Sequence, residues 1–190
     1  MSSRPSDERS SSEYSSLERL RALLLDEGGL MADLVGSTAD VGGSDRTAGP
    51  AQCAAGGPRA EGRCADYELL IETIYEGYLL HYGGARVART QEADLGLLAG
   101  DRLYALGLAR LVALGDIEAV AELADTITLS ALAQGAGAPE LADAVWAAGA
   151  RAVGWGSSDA HRRAKDLVLA GSAEAIEAMR TSAAGLSAPS

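Results

Sequence analysis

The stretch YELLIETIYEGYLLHYGG, residues 67–84, is followed after a short gap by LGLLAGDRLYALGLARLVAL, residues 95–114. In the first segment Tyr67, Leu70, Ile71, Ile74 and Tyr78 fall at i, i+3, i+4, i+7 and i+11, one apolar stripe at helical period that closes at Gly83 and Gly84. The spacing predicts a helix. The second segment is apolar nearly all round, with Thr90 placed to cap it, Glu92 and Asp94 suited to its positive end and Gly115 as its stop. Such a helix either sits at the centre of a bundle or spans a membrane. Asp101 and Arg102 at its middle decide against the bilayer, where each would cost about 2.5 to 3.5 kcal/mol. They predict a buried pair that holds two helices in register, or else touches a ligand. Gly96, Gly100, Leu103 and Gly107 share one face, so a neighbouring helix can approach closely there, although a mid-helix glycine costs on the order of 1 kcal/mol against alanine.

Working outward, Leu17, Leu20, Leu24 and Leu34 also lie at helical spacing, with a break at Gly28 and Gly29. Downstream, Asp116 caps a helix that ends at Gly135, and Pro139 suits the first turn of another that ends at Gly154. Ser157 or Ser158 opens a further helix to Ala170, and Ser172 starts a last one to about Ala183. Short connections force antiparallel neighbours, so the expected fold is all-α, an up-and-down bundle of roughly six to eight helices. Residues 1–15 are polar and low in complexity and read as a disordered tail. Residues 16–183 read as a single helical domain, interrupted by a mobile Gly/Pro-rich loop at about 36–64, and residues 184–190 as a frayed end.

The composition agrees with this reading. The chain has 190 residues, 47% of them apolar but only 4% aromatic, with no Phe; that is enough for a core, and of the kind that closes helices on helices. Lys plus Arg number 16 against 27 Asp plus Glu, and the net charge of −11 repels phosphate backbones and anionic lipid. Nucleic acid is therefore not an expected partner. Lys165 is the sole lysine, so the arginines read as compositional bias and not as a patch. Cys53 and Cys64 belong to no CxxC pair or zinc pattern and are expected as free thiols. With no apolar run in residues 1–16 that would make a leader, and no transmembrane segment, the expected location is the cytoplasm.

Glu68, Glu72 and Glu76 are spaced four apart, which puts three carboxylates on one helix face. They could share Mg²⁺, with Asp101 as a further ligand, but the preferred reading is a solvated face. His81 follows Glu76 by five residues, which misses the Glu-x-x-His spacing of a di-iron bundle, and it reads as a helix-end residue. His161, the other histidine, receives no role, and Gln134 and Asp143 are ordinary polar positions. There is no P-loop, dinucleotide fingerprint or Gly-x-Ser-x-Gly elbow.

The two quoted segments together resemble the first half of the trans-isoprenyl diphosphate synthase fold, in which a helix carrying DDxxD precedes one reading A-x-L-A-G-D-x-L. Leu97, Leu98, Ala99, Gly100, Asp101 and Leu103 match the second motif. Where the resemblance would put the aspartates, the chain has Glu72, Thr73 and Glu76, and the family's basic Gly-Gly-Lys-Arg survives only as Gly56, Gly57, Pro58 and Arg59, with Arg63 beyond. By the resemblance, the sequence is expected to stop before the helix that would carry a second aspartate motif. The resemblance covers residues 66–153. A matched Gly-Asp helix with lost aspartates is most similar to the non-catalytic component I of heptaprenyl diphosphate synthases. It implies a small subunit in the making of the menaquinone side chain, inactive without a catalytic partner, or self-associating. Arg59 and Arg63 would then be the remaining diphosphate contacts, and Tyr67, Ile71, Tyr75, Tyr78 and Tyr104 would line an interface or tunnel. Ionising an allylic diphosphate needs Mg²⁺ clamped between two carboxylate clusters, so one glutamate row predicts no catalysis, and no cofactor, for this chain alone. Any Mg²⁺ would belong to the complex. A self-associating helical protein unrelated to isoprenoids is the alternative.

Overall fold

A computed structural model describes residues 5–36 and 49–185. It is all-α. The helices are α1 (Pro5–Glu27), α2 (Gly29–Asp33), α3 (Pro50–Ala55), α4 (Cys64–Tyr82), α5 (Ala93–Ala113), α6 (Ile117–Gly135), α7 (Pro139–Trp155), α8 (Asp159–Leu169) and α9 (Ala175–Ala183). A single antiparallel bridge joins Val35 to Ala88, and no strand occurs among the described residues. No helix among them is long and apolar enough to cross a membrane.

The local signals act where the sequence places them. Asp116 accepts the Ala119 amide at 3.0 Å and starts α6, Ser158 accepts the His161 amide at 3.1 Å and starts α8, and Pro139 occupies the first turn of α7. Gly28 and Gly115 have φ of 68° and 77°, the left-handed backbone that lets the chain leave α1 and α5. Thr90 differs from its expected role: its hydroxyl accepts the Glu92 amide at 3.1 Å, two residues on, and the helix begins only at Ala93.

Where the sequence reads as one domain, the packing groups into two compact units. One unit comprises Met1–Ala48 with Glu68–Arg110, the other Gly49–Tyr67 with Leu111–Ser190. In the first, Leu17, Leu20, Leu24, Met31, Leu34, Val87, Ala88, Ala99 and Leu103 form a core. In the second, α7 is the central element, packed against α3, α6 and α9, with Ala142, Val145, Trp146, Ala148, Gly149, Ala152 and Val153 all buried.

Two boundaries are corrected. Residues 5–15, expected in a disordered tail, belong to α1: once the leucine stripe from Leu17 is fixed against the core, polar helix can propagate from it at little further cost. Residues 1–4 lie outside the described residues. Of the expected loop at 36–64, residues 49–63 hold α3 and a 3₁₀ turn at Pro58–Ala60, while 37–48 lie outside the description. Small residues permit that order: the backbone at Gly57 passes against Gly154, and Gly154 against the carbonyl of Ala54, with no room for a Cβ. At the other end α9 stops at Ala183, and residues 186–190 are likewise outside.

The expectation of a fully buried α5 is also corrected. Only the face bearing Gly96, Ala99, Gly100, Leu103, Gly107 and Leu111 is buried, whereas Leu97, Leu98 and Val112 are exposed. Leucine content does not mark burial here; the small residues mark the contact. A Cβ on Gly77 would sit 2.9 Å from the Gly100 carbonyl, one on Gly100 would sit 2.8 Å from the Gly77 carbonyl, and one on Gly107 would strike the Ile74 side chain. The close helix approach expected at these glycines is thus present, with α4 as the neighbour.

Candidate functional site

The glutamate row on α4 points inward. Glu68, Glu72 and Glu76 are 8%, 2% and 0% exposed, which overturns the expectation of a solvated face. A buried carboxylate must be matched by charge and hydrogen bonds, and each of the three is matched by arginine. Arg19 from α1 pairs with Glu68, and Arg86, in the segment between α4 and α5, pairs with Glu72 and reaches Glu76 through Nε at 3.4 Å. Glu76 does more: its Oε1 accepts the backbone amides of Arg86, Val87 and Ala88 at 2.7, 2.6 and 3.0 Å. The buried amides of Val87 and Ala88 would otherwise lack partners, and the carboxylate pins that segment to α4. The guanidinium of Arg86 also lies over the Tyr75 ring at 5.2 Å. Burial pulls its pKa down, but Glu72 and Glu76 outweigh this and hold it above the usual arginine value.

This arrangement does not fit Mg²⁺. A magnesium site asks for free carboxylate oxygens and room for several waters, whereas Glu76 is engaged through both oxygens. Among the described residues no group of three or more His, Cys, Asp or Glu is placed to hold a metal. Asp101 does not join the row. Its side chain is 73% exposed and lies 3.4 Å from His81 Nε2, while Arg102, also exposed, pairs with Glu27 at 2.9 Å. The expected buried Asp101–Arg102 pair is therefore absent, because both residues fall on the outer face of α5. His81 also contacts the Leu97 carbonyl at 3.1 Å and stacks edge-on against Tyr104.

The remaining sequence-derived candidates separate. Arg59 is held by Asp116 at 2.7 Å and Glu118 at 2.6 Å; Arg63 donates to the Leu114 carbonyl at 3.1 Å and lies 5.5 Å from the Tyr67 ring centre. Both line a shallow depression at the start of α6, where the two carboxylates offset the positive charge a diphosphate would need. Asp116 is the hub there: burial raises its pKa, but hydrogen bonds from Tyr67, the Ala119 amide and Arg59 outweigh it and bring it below the usual value. Burial and the same Asp116 contact push the Tyr67 hydroxyl up to about 12. Tyr67, Ile71 and Tyr78 are buried, so they do not offer an open interface, and Tyr75 and Tyr104 are half-buried. Cys53 and Cys64 are free thiols, with Cys53 raised by burial.

Sequence reasoning missed two features. One is Arg86, which lies outside any helix and carried no signal by spacing. The other is His161, 3% exposed, which joins three helices: its Nδ1 lies 2.9 Å from Ser182 Oγ on α9 and its Nε2 3.2 Å from Glu122 Oε2 on α6. Lys165 extends the cluster to Glu122 and Asp125, at 3.1 and 2.6 Å. No i, i+3 or i, i+4 pattern connects residues 122, 161 and 182, so only tertiary packing brings them together.

No protein-family model, no curated protein and no solved structure matches this chain. What the fold and site define is an all-α protein with a charge-neutralised carboxylate row inside one of its units.

Proposed function

We propose that this chain is a helical accessory subunit of a polyprenyl diphosphate synthase, without prenyl-transfer chemistry of its own, acting by docking on a catalytic partner that holds the Mg²⁺. The observation that carries the reading is the state of Glu72 and Glu76. At the positions where the resembling family keeps its metal-binding aspartates, this chain keeps carboxylates but closes them with Arg86 and the amides of residues 86–88. A scaffold of that origin that had given up its ion clamp would need such internal neutralisation, because an unpaired buried carboxylate is costly. The close α4–α5 packing at Gly77, Gly100 and Gly107 fits the same Gly-Asp helix motif. The docking surface on this reading is the outer face of α5 at Leu97 and Leu98, and not the buried tyrosines of α4. The location is the cytoplasm, and the product is the polyprenyl side chain of a quinone such as menaquinone.

The test is reconstitution. Chain elongation by a candidate catalytic subunit is measured with and without this chain, at saturating Mg²⁺. A change in rate or product length is expected, and no change rejects the reading. The exposed leucines of α5 also favour a second reading, self-association unrelated to isoprenoids. Light scattering that gives a homo-oligomer, unaltered by prenyl diphosphates and by the catalytic subunit, would select it.

A further inference from the structure

Around His161 the hydrogen-bond pattern is set by its neighbours. Glu122 lies against both His161 and Lys165. Burial raises its pKa, but hydrogen bonds from His161 and Lys165 outweigh that and bring it to about 2, so the carboxylate is ionised at neutral pH. An ionised acceptor fixes the tautomer: Nε2 carries the hydrogen and donates it to Glu122. Nδ1 is then a lone pair directed at the Ser182 hydroxyl, 2.9 Å away. A hydroxyl facing an imidazole lone pair, with a carboxylate holding the far side of the ring, is the arrangement that activates a nucleophilic serine.

Ser182 and His161 also border a cavity of about 590 Å³, lined further by Arg151, Trp155, Ser158 and Arg163. Arg151 lies over the Trp155 ring at 4.4 Å, and neither Arg151 nor Arg163 is in an ion pair among the described residues. The first turn of α8 opens on the same cavity through Asp159 and Ala160, with the Asp159 carboxylate neutralised by its ion pair to Arg162. Amides of a first helical turn lack intrahelical partners, and negative charge is favoured beside them.

We propose that Ser182 is a nucleophile activated by His161, with Glu122 as its positioning residue, and that the cavity takes a small ester whose acyl part carries a negative charge. Ser182 Oγ bonds to the ester carbonyl carbon as its proton passes to His161 Nδ1, and the carbonyl π pair moves onto oxygen. Collapse breaks the carbon–alkoxy bond, and the alkoxide leaves with the proton from Nδ1. Water then gives a proton to Nδ1, attacks the acyl-serine, and releases the acid as the proton returns to Oγ; the sum is ester plus water to acid plus alcohol. Arg151 and Arg163 select an anionic acyl group. This goes beyond the docking reading and stands or falls without it.

The full chain is treated with a fluorophosphonate, digested and mapped by mass spectrometry. The expected result is an adduct on Ser182 in the native chain, lost in 6 M urea. No adduct on Ser182, or equal labelling in native and unfolded chain, overturns the proposal. Glu122→Gln, checked for native helicity by circular dichroism, is expected to slow labelling at least tenfold, and unaltered labelling in a folded Glu122→Gln protein counts against it. For the substrate class, rates are compared on the p-nitrophenyl monoester of succinate and on p-nitrophenyl butyrate. The succinate ester is expected to be preferred, with the ratio falling at least fivefold in Arg163→Gln; equal ratios in the two proteins overturn the charge selection.

Discussion

Glu76 is worth more to this protein than its charge alone, because one carboxylate holds three backbone amides and half of an arginine. Arg86→Met leaves Glu72 and Glu76 buried without their counter-charge and is expected to cost about 3 to 5 kcal/mol in urea unfolding. Glu76→Gln keeps an oxygen for the amides and is expected to cost less, about 1 to 3 kcal/mol. If Arg86→Met unfolds at the wild-type urea midpoint, the buried network contributes nothing. Glu122 carries a pH signature. Its folded-state pKa lies near 2 against an ordinary 4.5, so its contribution is complete above about pH 4.5 and is lost as pH falls toward 2. The melting-temperature gap between wild type and Glu122→Gln is expected to be widest above pH 5 and to shrink across that window; a gap independent of pH would contradict the assignment. The identities of these residues were legible in the sequence, but their state was not. Three glutamates four apart look the same whether they face water or arginine, and Arg86 has no helical register to announce it.

At the scale of elements, small residues set the contacts. Gly100→Ala would bring a Cβ against the His81 ring and within 2.8 Å of the Gly77 carbonyl, forcing α4 and α5 apart. A loss of about 1 to 3 kcal/mol is expected from thermal or urea unfolding, since backbone cannot rotate out of the way as a side chain can. Gly57→Ala, against the Gly154 backbone, is expected to be at least as damaging in the other unit. Gly62→Ala controls for left-handed backbone: φ is 76° but nothing lies within 4 Å of a Cβ, so its cost of roughly 1 kcal/mol is conformational alone. Wild-type stability in Gly57→Ala would refute the close approach. Most element boundaries after residue 64 were readable, because caps, prolines and stop glycines act locally through a few hydrogen bonds. That α7 is the buried helix of its own unit was not, since its sequence carries alanines and glycines where a buried helix is expected to carry leucines.

For the whole molecule, a formal charge of −11 means self-repulsion at low ionic strength. Raising salt from 10 to 150 mM shortens the screening length from about 30 Å to about 8 Å and is expected to raise the melting temperature by a few degrees. A fall instead would mean that screened surface ion pairs outweigh net repulsion. By itself the sequence determined the all-α class, the lack of a spanning helix among the described residues and the positions of most turns, because these follow from composition, period and local capping. The tertiary structure alone decided that the glutamate row is buried on arginine, that Asp101 is exposed, and that Ser182, His161 and Glu122 meet. Those facts depend on contacts between residues far apart in the chain, and a pattern read along the sequence carries no information about which distant face will cover it.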